Sequence, residues 1–504
     1  MNLRIVLLLV TLLNFFLPLG FTPLFDLDEG AFSEATREML KSGNYLTTYL
    51  DGHLRFDKPI LIYWLQASSV KLFGLNEFAL RFPSALAATI WAWSLWFFSR
   101  RFFNEKVAFY AVLAMLGALQ VNIIAKAAIA DALLNLFIAL SLFSVWLYIE
   151  SKKVRFLYLA FAAIAFGTLA KGPVAILIPL ATTSLYMLIQ RDIKGLLKML
   201  FNPVGIAIFL SISMPWYILE YLDQGQKFID GFFLKHNLER FSKSLESHGG
   251  SYFYYIPVLL VGFLPFTTPL LKALYRIKNN IKEPLFLYLF IWFAFVFLFF
   301  SLSGTKLPHY IIYGYTPLFI FIGHTMAHSK KPLGWLFLIP TIIALVLFAL
   351  FPYFINFLEP KSSYYTELFA AAKEYFDLQF QLFAILITAI IILLTKSRLQ
   401  KEIKVALIAL LFTLFINLKV IGTYGNLAQV PIKEAALFAK KRNLNIIMYH
   451  FTRPSFLLYL EKQSLKKEPD VGDFVFTNRS SLPKFKKYSV QYSKNGVYLI
   501  KVEK

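Results

Sequence analysis

The sequence contains no cysteine, which excludes disulfide bonds, thiolate nucleophiles and cysteine-ligated metals. Acidic residues are also scarce: 29 aspartates and glutamates stand against 51 lysines and arginines, and only 16% of the 504 residues are charged. A soluble protein would carry roughly 25% charged residues, so an ordinary soluble domain is excluded. The chain also lacks internal repeats, low-complexity segments and an HExxH zinc motif.

Apolar sequence is what the chain has in excess. Hydrophobic residues make up 58% of it and aromatic residues 18%, and many apolar runs reach the roughly 17–25 residues that cross a bilayer. The predicted fold class is a polytopic α-helical membrane protein. We expect about thirteen spans, near 3–20, 82–98, 107–124, 132–148, 156–170, 174–189, 204–219, 252–271, 284–301, 310–326, 333–354, 378–394 and 405–421. The first is interpreted as a retained span, because no small-residue cleavage site follows it.

The net charge of +22 would suggest nucleic acid in a soluble protein. Here many of the basic residues lie in short loops between spans, and these loops alternate onto one side, which the positive-inside rule makes cytoplasmic. We therefore expect no nucleic-acid partner and a cytoplasmic N-terminus. Nearly every unusual polar stretch then falls on the opposite face, including the first extracytoplasmic loop, 21–81. This distribution predicts one active face outside the cytoplasmic membrane.

The composition changes near residue 424. Helix-like and strand-like segments alternate after it, and the end of the chain reads as two strands around Asn495-Gly496, a strong hairpin turn. The sequence thus predicts a transmembrane domain, 1–423, followed by a small α/β extracytoplasmic domain, 424–504.

The first loop carries acidic groups at two helix starts, Asp28-Glu29 and Asp57-Lys58, and Pro59 is expected at the first position of the second helix. Helix capping or a loop ion pair would explain each pair without a function. The functional hypothesis is that the loop holds a reactive carboxylate beside an anion-binding lysine, because a helix N-terminus adds its own positive end.

Other candidate side chains lie at outer span ends or in the loop 220–251. Each of them could instead have only a structural role, as a helix cap, a snorkelling anchor, a solvated loop residue or part of the aromatic belt. They are Asp131, Lys171, His236, Arg240, His248, Lys306 and Tyr310.

Four motifs resemble a known family: FDLDEGAFSEATREMLKSGNYLTTYLDGHLRFDKP, LAKGP, FFLKHNLERF with the following SHGG, and SLSGTKLPHY. Together they are similar to the lipid-linked-sugar glycosyltransferases of the GT-C fold, and more narrowly to ArnT-type lipid A aminoarabinose transferases and their protein O-mannosyltransferase relatives. The similarity covers most of residues 1–317 and is architectural beyond them.

The resemblance implies a polyprenyl-phosphate sugar donor, inversion at the sugar carbon and an extracytoplasmic acceptor, of which lipid A is the one we expect. It assigns Asp28, Glu29 and Asp131 to catalysis, Lys58, Arg240, Lys306, Tyr310 and Lys171 to the donor phosphate, and Asp57 with His236 or His248 to a divalent metal ion. No organic cofactor is expected, and the chain is expected to act as a monomer.

Two departures leave the sugar open between aminoarabinose, galacturonic acid and hexoses. Ala31 stands where the family commonly has arginine, and IIYGYTP follows KLPHY where the family tends to have proline. Three alternatives remain: a related enzyme with a protein or cell-wall glycan acceptor, a secondary transporter, and a scaffold displaying the C-terminal domain. The charges lie at outer span ends rather than at the midplane, which argues against the transporter.

Overall fold

The computed structural model describes residues 2–239, 250–329, 335–360 and 362–504. The described part is predominantly helical, as the composition predicts. Its α-helices are Leu3–Thr11, Asp28–Ser42, Leu61–Phe73, Glu77–Phe102, Glu105–Gly117, Leu119–Ile124, Asp131–Ser151, Val154–Lys171, Val174–Ile189, Ile193–Leu200, Pro203–Gln224, Gln226–Phe228, Tyr255–Gly262, Thr267–Asn280, Pro284–Leu302, Tyr315–Ala327, Trp335–Phe354, Ser363–Tyr375, Leu378–Lys396, Lys401–Leu414, Ile421–Ala428, Val430–Lys441 and Pro454–Leu460.

Six helices in the described residues are long and apolar enough to cross a membrane, or seven if one bent pair counts as a single span. Several further apolar helices are shorter, such as Val174–Ile189. The multi-pass helical architecture is therefore confirmed, whereas the count of thirteen spans is not.

The predicted continuous span 252–271 is wrong. Two helices, Tyr255–Gly262 and Thr267–Asn280, meet there at 119°. Pro265 lies in the break and has no N–H to continue a helical hydrogen-bond ladder. The predicted span 107–124 is likewise interrupted at Ala118, whose backbone is extended between two helices.

The first loop forms two helices joined by a short hairpin. The first-loop helix, Asp28–Ser42, ends before Gly43 as predicted. Strands Tyr49–Leu50 and His53–Leu54 pair in antiparallel fashion. The second helix is Leu61–Phe73, so the prediction that it begins at Pro59 is two residues early.

The C-terminal region carries a four-stranded mixed sheet. Its strands are Ile446–Met448, Phe474–Asn478, Val497–Val502 and Tyr488–Lys494 in spatial order, with only the first pair parallel. The predicted hairpin is confirmed, since Asn495 and Gly496 both have positive φ between the last two strands. The helix Ile421–Ala428 runs through residue 424, and the domain boundary there stays a prediction.

Polar contacts join this C-terminal region to the first loop. The Asp26 carboxylate accepts hydrogen bonds from the Ser455 backbone N–H, at 3.0 Å, and from its hydroxyl. The Tyr459 hydroxyl accepts one from the Leu24 N–H at 2.9 Å. Asp51 accepts bonds from the backbone N–H and hydroxyl of Ser464, at 2.8 and 2.6 Å. The last part of the chain thus supports the first loop directly.

Replacing Asp51 with glycine tests this support. Asp51 has φ of 54°, a conformation that glycine adopts without strain. Asp51→Gly therefore removes the carboxylate without disfavouring the backbone conformation of the turn. We expect a loss of about 1.5–3 kcal/mol, the usual contribution of hydrogen bonds to a charged group. Chemical unfolding in detergent and limited proteolysis would measure the loss. Asp470→Gly, at an exposed position, is the control, and equal stability of both variants would contradict the proposed support.

Candidate active site

One cavity of about 470 Å³ lies beside several of the predicted residues. The polar side of the cavity is lined by Asp57, Lys58, Lys171, His236, Tyr310 and Tyr313. The rest of the lining consists of Pro173, Val174, Leu177, Phe233, Phe299, Phe300 and Ser303. A mainly apolar cavity with a few convergent polar groups is the usual form of a small-molecule site.

Asp57 organises one half of the polar side. Its carboxylate pairs with Lys58 at 2.7 Å, with Arg55 at 3.0 Å and with His236 Nδ1 at 3.2 Å. Burial alone would raise the pKa of Asp57, but Lys58, His236 and Arg55 hold this pKa well below its usual range. Asp57 is therefore an anion that fixes the neighbouring cations.

Asp131 organises the other half. Its Oδ1 accepts a hydrogen bond from the Tyr313 hydroxyl at 2.7 Å and pairs with Lys171 Nζ at 2.5 Å. His309 Nε2 lies 3.7 Å from the same oxygen. Lys171 also donates to the Tyr313 hydroxyl at 2.8 Å. Asp131 is the first residue of the helix Asp131–Ser151, and these side-chain contacts hold its carboxylate.

The LAKGP motif fixes the position of Lys171. Gly172 has φ of 81°, and a Cβ there would lie 2.8 Å from the Phe232 ring, so both its conformation and its close packing require glycine. The turn ends the helix Val154–Lys171 and leaves the ammonium beside the rings of Tyr310 and Tyr313, at 5.6 and 5.5 Å from their centroids. Cation–π attraction adds to the ion pair.

Asp28 and Glu29 differ although they are adjacent. Asp28 is exposed and lies within electrostatic range of Arg55 and His309. Glu29 is 5% exposed and pairs with Arg81 through two hydrogen bonds of 2.8 and 2.7 Å. Its carboxylate also accepts the N–H groups of Phe25 and Ala128, each at 2.8 Å. The structure therefore brings Asp28 toward the candidate site and uses Glu29 as a structural anchor.

The remaining predicted residues lie elsewhere. Lys306 is buried and donates to the Ser303 carbonyl at 2.6 Å, behind the cavity lining. Arg240 and His248 fall outside the described residues.

Sequence reasoning missed Arg55 and Tyr313 as site residues. Arg55 lies two residues before Asp57, and in an extended chain side chains two residues apart lie on the same side. Tyr313 had no distinguishing sequence signal, because it lies in an aromatic-rich segment.

A metal site does not assemble from the described residues, which contain no group of three His, Asp or Glu side chains able to hold an ion. Asp57 and His236 are adjacent, but Lys58 and Arg55 already occupy the carboxylate oxygens. The metal hypothesis, which also involves His248, stays a prediction.

Comparisons with known proteins point to one family. A family model described as dolichyl-phosphate-mannose-protein mannosyltransferase matches residues 57–219. An Erwinia tasmaniensis protein named undecaprenyl phosphate-alpha-4-amino-4-deoxy-L-arabinose arabinosyl transferase is 32% identical over 64% of this chain and 58% of its own length. An uncharacterised Aquifex aeolicus protein is 30% identical over 69% of each chain.

The family model describes a mannosyltransferase and the named relatives are aminoarabinose transferases, so the chain is similar to glycosyltransferases of the ArnT and protein O-mannosyltransferase type. The chain shares the GT-C fold with the crystal structure of ArnT from Cupriavidus metallidurans bound to undecaprenyl phosphate, which matches with a TM-score of 0.85 over 99% of this chain and 97% of that one, at 21% identity. The chain spans 58% of the length of the Erwinia protein.

Removing Arg81 tests the structural role of Glu29. Breaking a buried ion pair leaves an uncompensated charge and costs about 3–5 kcal/mol, so we expect Arg81→Met to lower the unfolding temperature sharply. The double variant Arg81→Met/Glu29→Gln should recover part of the loss because no buried charge remains. Thermal unfolding in detergent measures both, and a double variant no more stable than Arg81→Met would contradict this role.

His309 predicts a pH dependence of stability. Burial lowers the pKa of His309 to about 4, aided by Lys171 and opposed by Asp131. The unfolded chain, with an ordinary histidine pKa near 6.5, then binds the proton more readily than the folded chain between those values. Stability should fall as the pH falls from about 6.5 to 4. His309→Gln should lose this component, which unfolding temperatures of both proteins across that range would show; parallel profiles would contradict it.

Proposed function

We propose that the chain is an inverting glycosyltransferase that moves a sugar from a polyprenyl-phosphate donor to an extracytoplasmic acceptor. The observation that carries the proposal is the cavity, where Lys58 and Lys171 lie at the polar side of an otherwise apolar pocket. This combination suits a phosphate joined to a long hydrocarbon chain. The family-model match and the names of the relatives support the same donor class.

In this proposal the lysines receive the donor phosphate. Lys58 is held by Asp57 and Lys171 by Asp131, so neither ammonium must reorganise when the substrate binds. Preorganised charges in a water-poor pocket stabilise charge that develops in the transition state more strongly than bulk water does. Tyr310, which lines the same cavity, is a further phosphate contact, while Phe233, Phe299 and Phe300 offer apolar surface to the polyprenyl chain.

The reaction is a displacement at the anomeric carbon. An acceptor oxygen forms the new bond to that carbon from one face, while the bond to the donor phosphate breaks on the other. The leaving electron pair stays on the phosphate, beside Lys58 and Lys171. Asp28 orients the acceptor or takes its proton when the acceptor is a hydroxyl. Asp131 acts by positioning Lys171 and Tyr313, the groups that it contacts.

Lipid A is the proposed acceptor, with an aminoarabinose or galacturonic acid type of sugar. The relatives named as aminoarabinose transferases support it. A protein or cell-wall glycan acceptor is the alternative, and the mannosyltransferase family model favours it. We further propose that the N-terminus is cytoplasmic, that the site and the C-terminal region face outward from the cytoplasmic membrane, and that the protein acts as a monomer.

The test is sugar transfer by purified protein from a set of polyprenyl-phosphate sugars to lipid A. We expect Asp28→Asn to lower kcat about 10²–10⁴-fold, the usual contribution of a general base, and Lys58→Met to lower it about 10²–10³-fold through lost charge stabilisation. Lys198→Met, at an exposed position far along the chain, is the control.

The outcomes separate the acceptor from the chemistry. Transfer to lipid A that depends on Asp28 and Lys58 supports the whole proposal, and the donor that works names the sugar. Transfer only to a protein or glycan overturns the acceptor and keeps the reaction. Full activity of Asp28→Asn would show that Asp28 has only a structural role, at the start of its helix.

A further inference from the structure

A second cavity, of about 170 Å³, has no role in the proposed reaction. It lies between the end of the first apolar segment, the segment after Leu119–Ile124 and the last long apolar helix. Its lining consists of Pro18, Thr22, Phe25, Glu29, Arg81, Ile123, Lys126, Ala127, Asn417 and Ile421. Apart from Glu29, none of these residues was singled out by the sequence.

Lys126 is the first unusual group in this cavity. It is 8% exposed, and its ammonium donates only to Asn122, through the backbone carbonyl at 2.5 Å and the side-chain carbonyl. Within the described residues it forms no ion pair. A buried ammonium without an anionic partner is costly. Burial, with a smaller contribution from the nearby Arg81, holds the pKa of Lys126 well below its ordinary value, so an anion bound beside this amine would favour its protonated form.

Asn417 is the second unusual group. Its side chain is 2% exposed, and neither its amide nitrogen nor its carbonyl oxygen has a hydrogen-bond partner in the described part of the chain. It lies in the π-helical segment Phe415–Val420 of an apolar helix. Polar side chains in membrane segments are costly and mark sites of function, and π-helical turns occur frequently at such sites.

The charges that line the cavity favour an anion. Arg81 and Glu29 neutralise each other through their two-point pair. Lys126 then offers the one amine that an anion can hold in its charged form, and the Asn417 amide adds an unused N–H donor. A phosphoryl group, with several strong acceptor oxygens, matches an ammonium and an amide donor in one pocket.

The outer surface next to the cavity favours a lipid as the carrier of that group. Ile123, which lines the cavity, is 42% exposed, and the neighbours of Pro18 and Asn417 in sequence, Leu17 and Leu418, are 44% and 39% exposed. Phe21 is 60% exposed on the same segment. Acyl chains would cover these side chains while the headgroup reaches the polar groups behind them.

We propose that this cavity binds the phosphoryl headgroup of an anionic membrane lipid, with Lys126 and Asn417 as its direct contacts. The inference goes beyond the proposed glycosyl transfer, since it requires no sugar, no polyprenyl donor and no turnover. Glu29 lines this cavity and is adjacent in sequence to Asp28, which lies within electrostatic range of Arg55 and His309.

Lipid binding to the delipidated full-length protein in detergent tests the proposal. The probes are phosphatidylglycerol, diacylglycerol with the same acyl chains, and inorganic phosphate, and the readouts are retained lipid by native mass spectrometry and the unfolding temperature. We expect phosphatidylglycerol to bind and stabilise wild type. Lys126→Met should bind it about tenfold more weakly or worse, through loss of one charge-assisted contact.

Two features keep the test sharp if a variant folds poorly. Without lipid, Lys126→Met should be at least as stable as wild type, since it removes a buried amine that has no anionic partner in the described residues, yet it should gain no stability from phosphatidylglycerol. Asn417→Asp nearly preserves shape and should also weaken binding, because it adds a negative charge beside the phosphate. Lys198→Met is the matched control and should bind like wild type.

Three results would overturn the proposal. Diacylglycerol binding as tightly as phosphatidylglycerol would show that no phosphate is recognised. Inorganic phosphate binding with equal affinity would identify a soluble-anion site rather than a lipid site. Unchanged phosphatidylglycerol binding by both Lys126→Met and Asn417→Asp would place the lipid elsewhere.

Discussion

The buried ion pair between Glu29 and Arg81 is the interaction on which the candidate site depends. Glu29 also accepts the N–H of Ala128, three residues before Asp131, and Arg81 donates to the carbonyls of Leu19, Thr22 and Pro23. One pair therefore joins the end of the first apolar segment, the first-loop helix and the segment leading to Asp131. Asp28 and Asp131, which are far apart in sequence, take their places relative to each other through it.

The candidate site also contains buried charge pairs, but here each pair presents a cation to the cavity. Asp57 and Asp131 each hold a lysine at the cavity, where charge without a partner would be expelled or neutralised. Each pair is satisfied without substrate, yet each ammonium still faces the pocket. An arriving phosphate can therefore share existing cations, and the carboxylates keep those cations oriented in an apolar setting.

Much of this could be predicted from local sequence signals. Apolar run length fixes the membrane class, glycines mark the ends of the two first-loop helices, and Asn495-Gly496 specifies the last hairpin. The predictions that were wrong or missing concern features that depend on tertiary contacts. Hydropathy alone cannot distinguish a straight span from the bend at Pro265, and it cannot tell which of two adjacent carboxylates is satisfied by a distant arginine. Tyr313 and Lys126 acquire their roles only from residues brought together by the fold, so no local pattern marks them.

The contacts between the first loop and the C-terminal region have a consequence for biosynthesis. Asp26 and Leu24 are synthesised well before their partners Ser455 and Tyr459, which lie 429 and 435 positions later in the chain. Contacts of such long sequence separation form late. The loop that carries Asp28 therefore lacks these contacts until Ser455 and Tyr459 have been synthesised. A chain truncated before residue 450 would leave this loop without them, so the order in which the chain emerges delays the assembly of the candidate site.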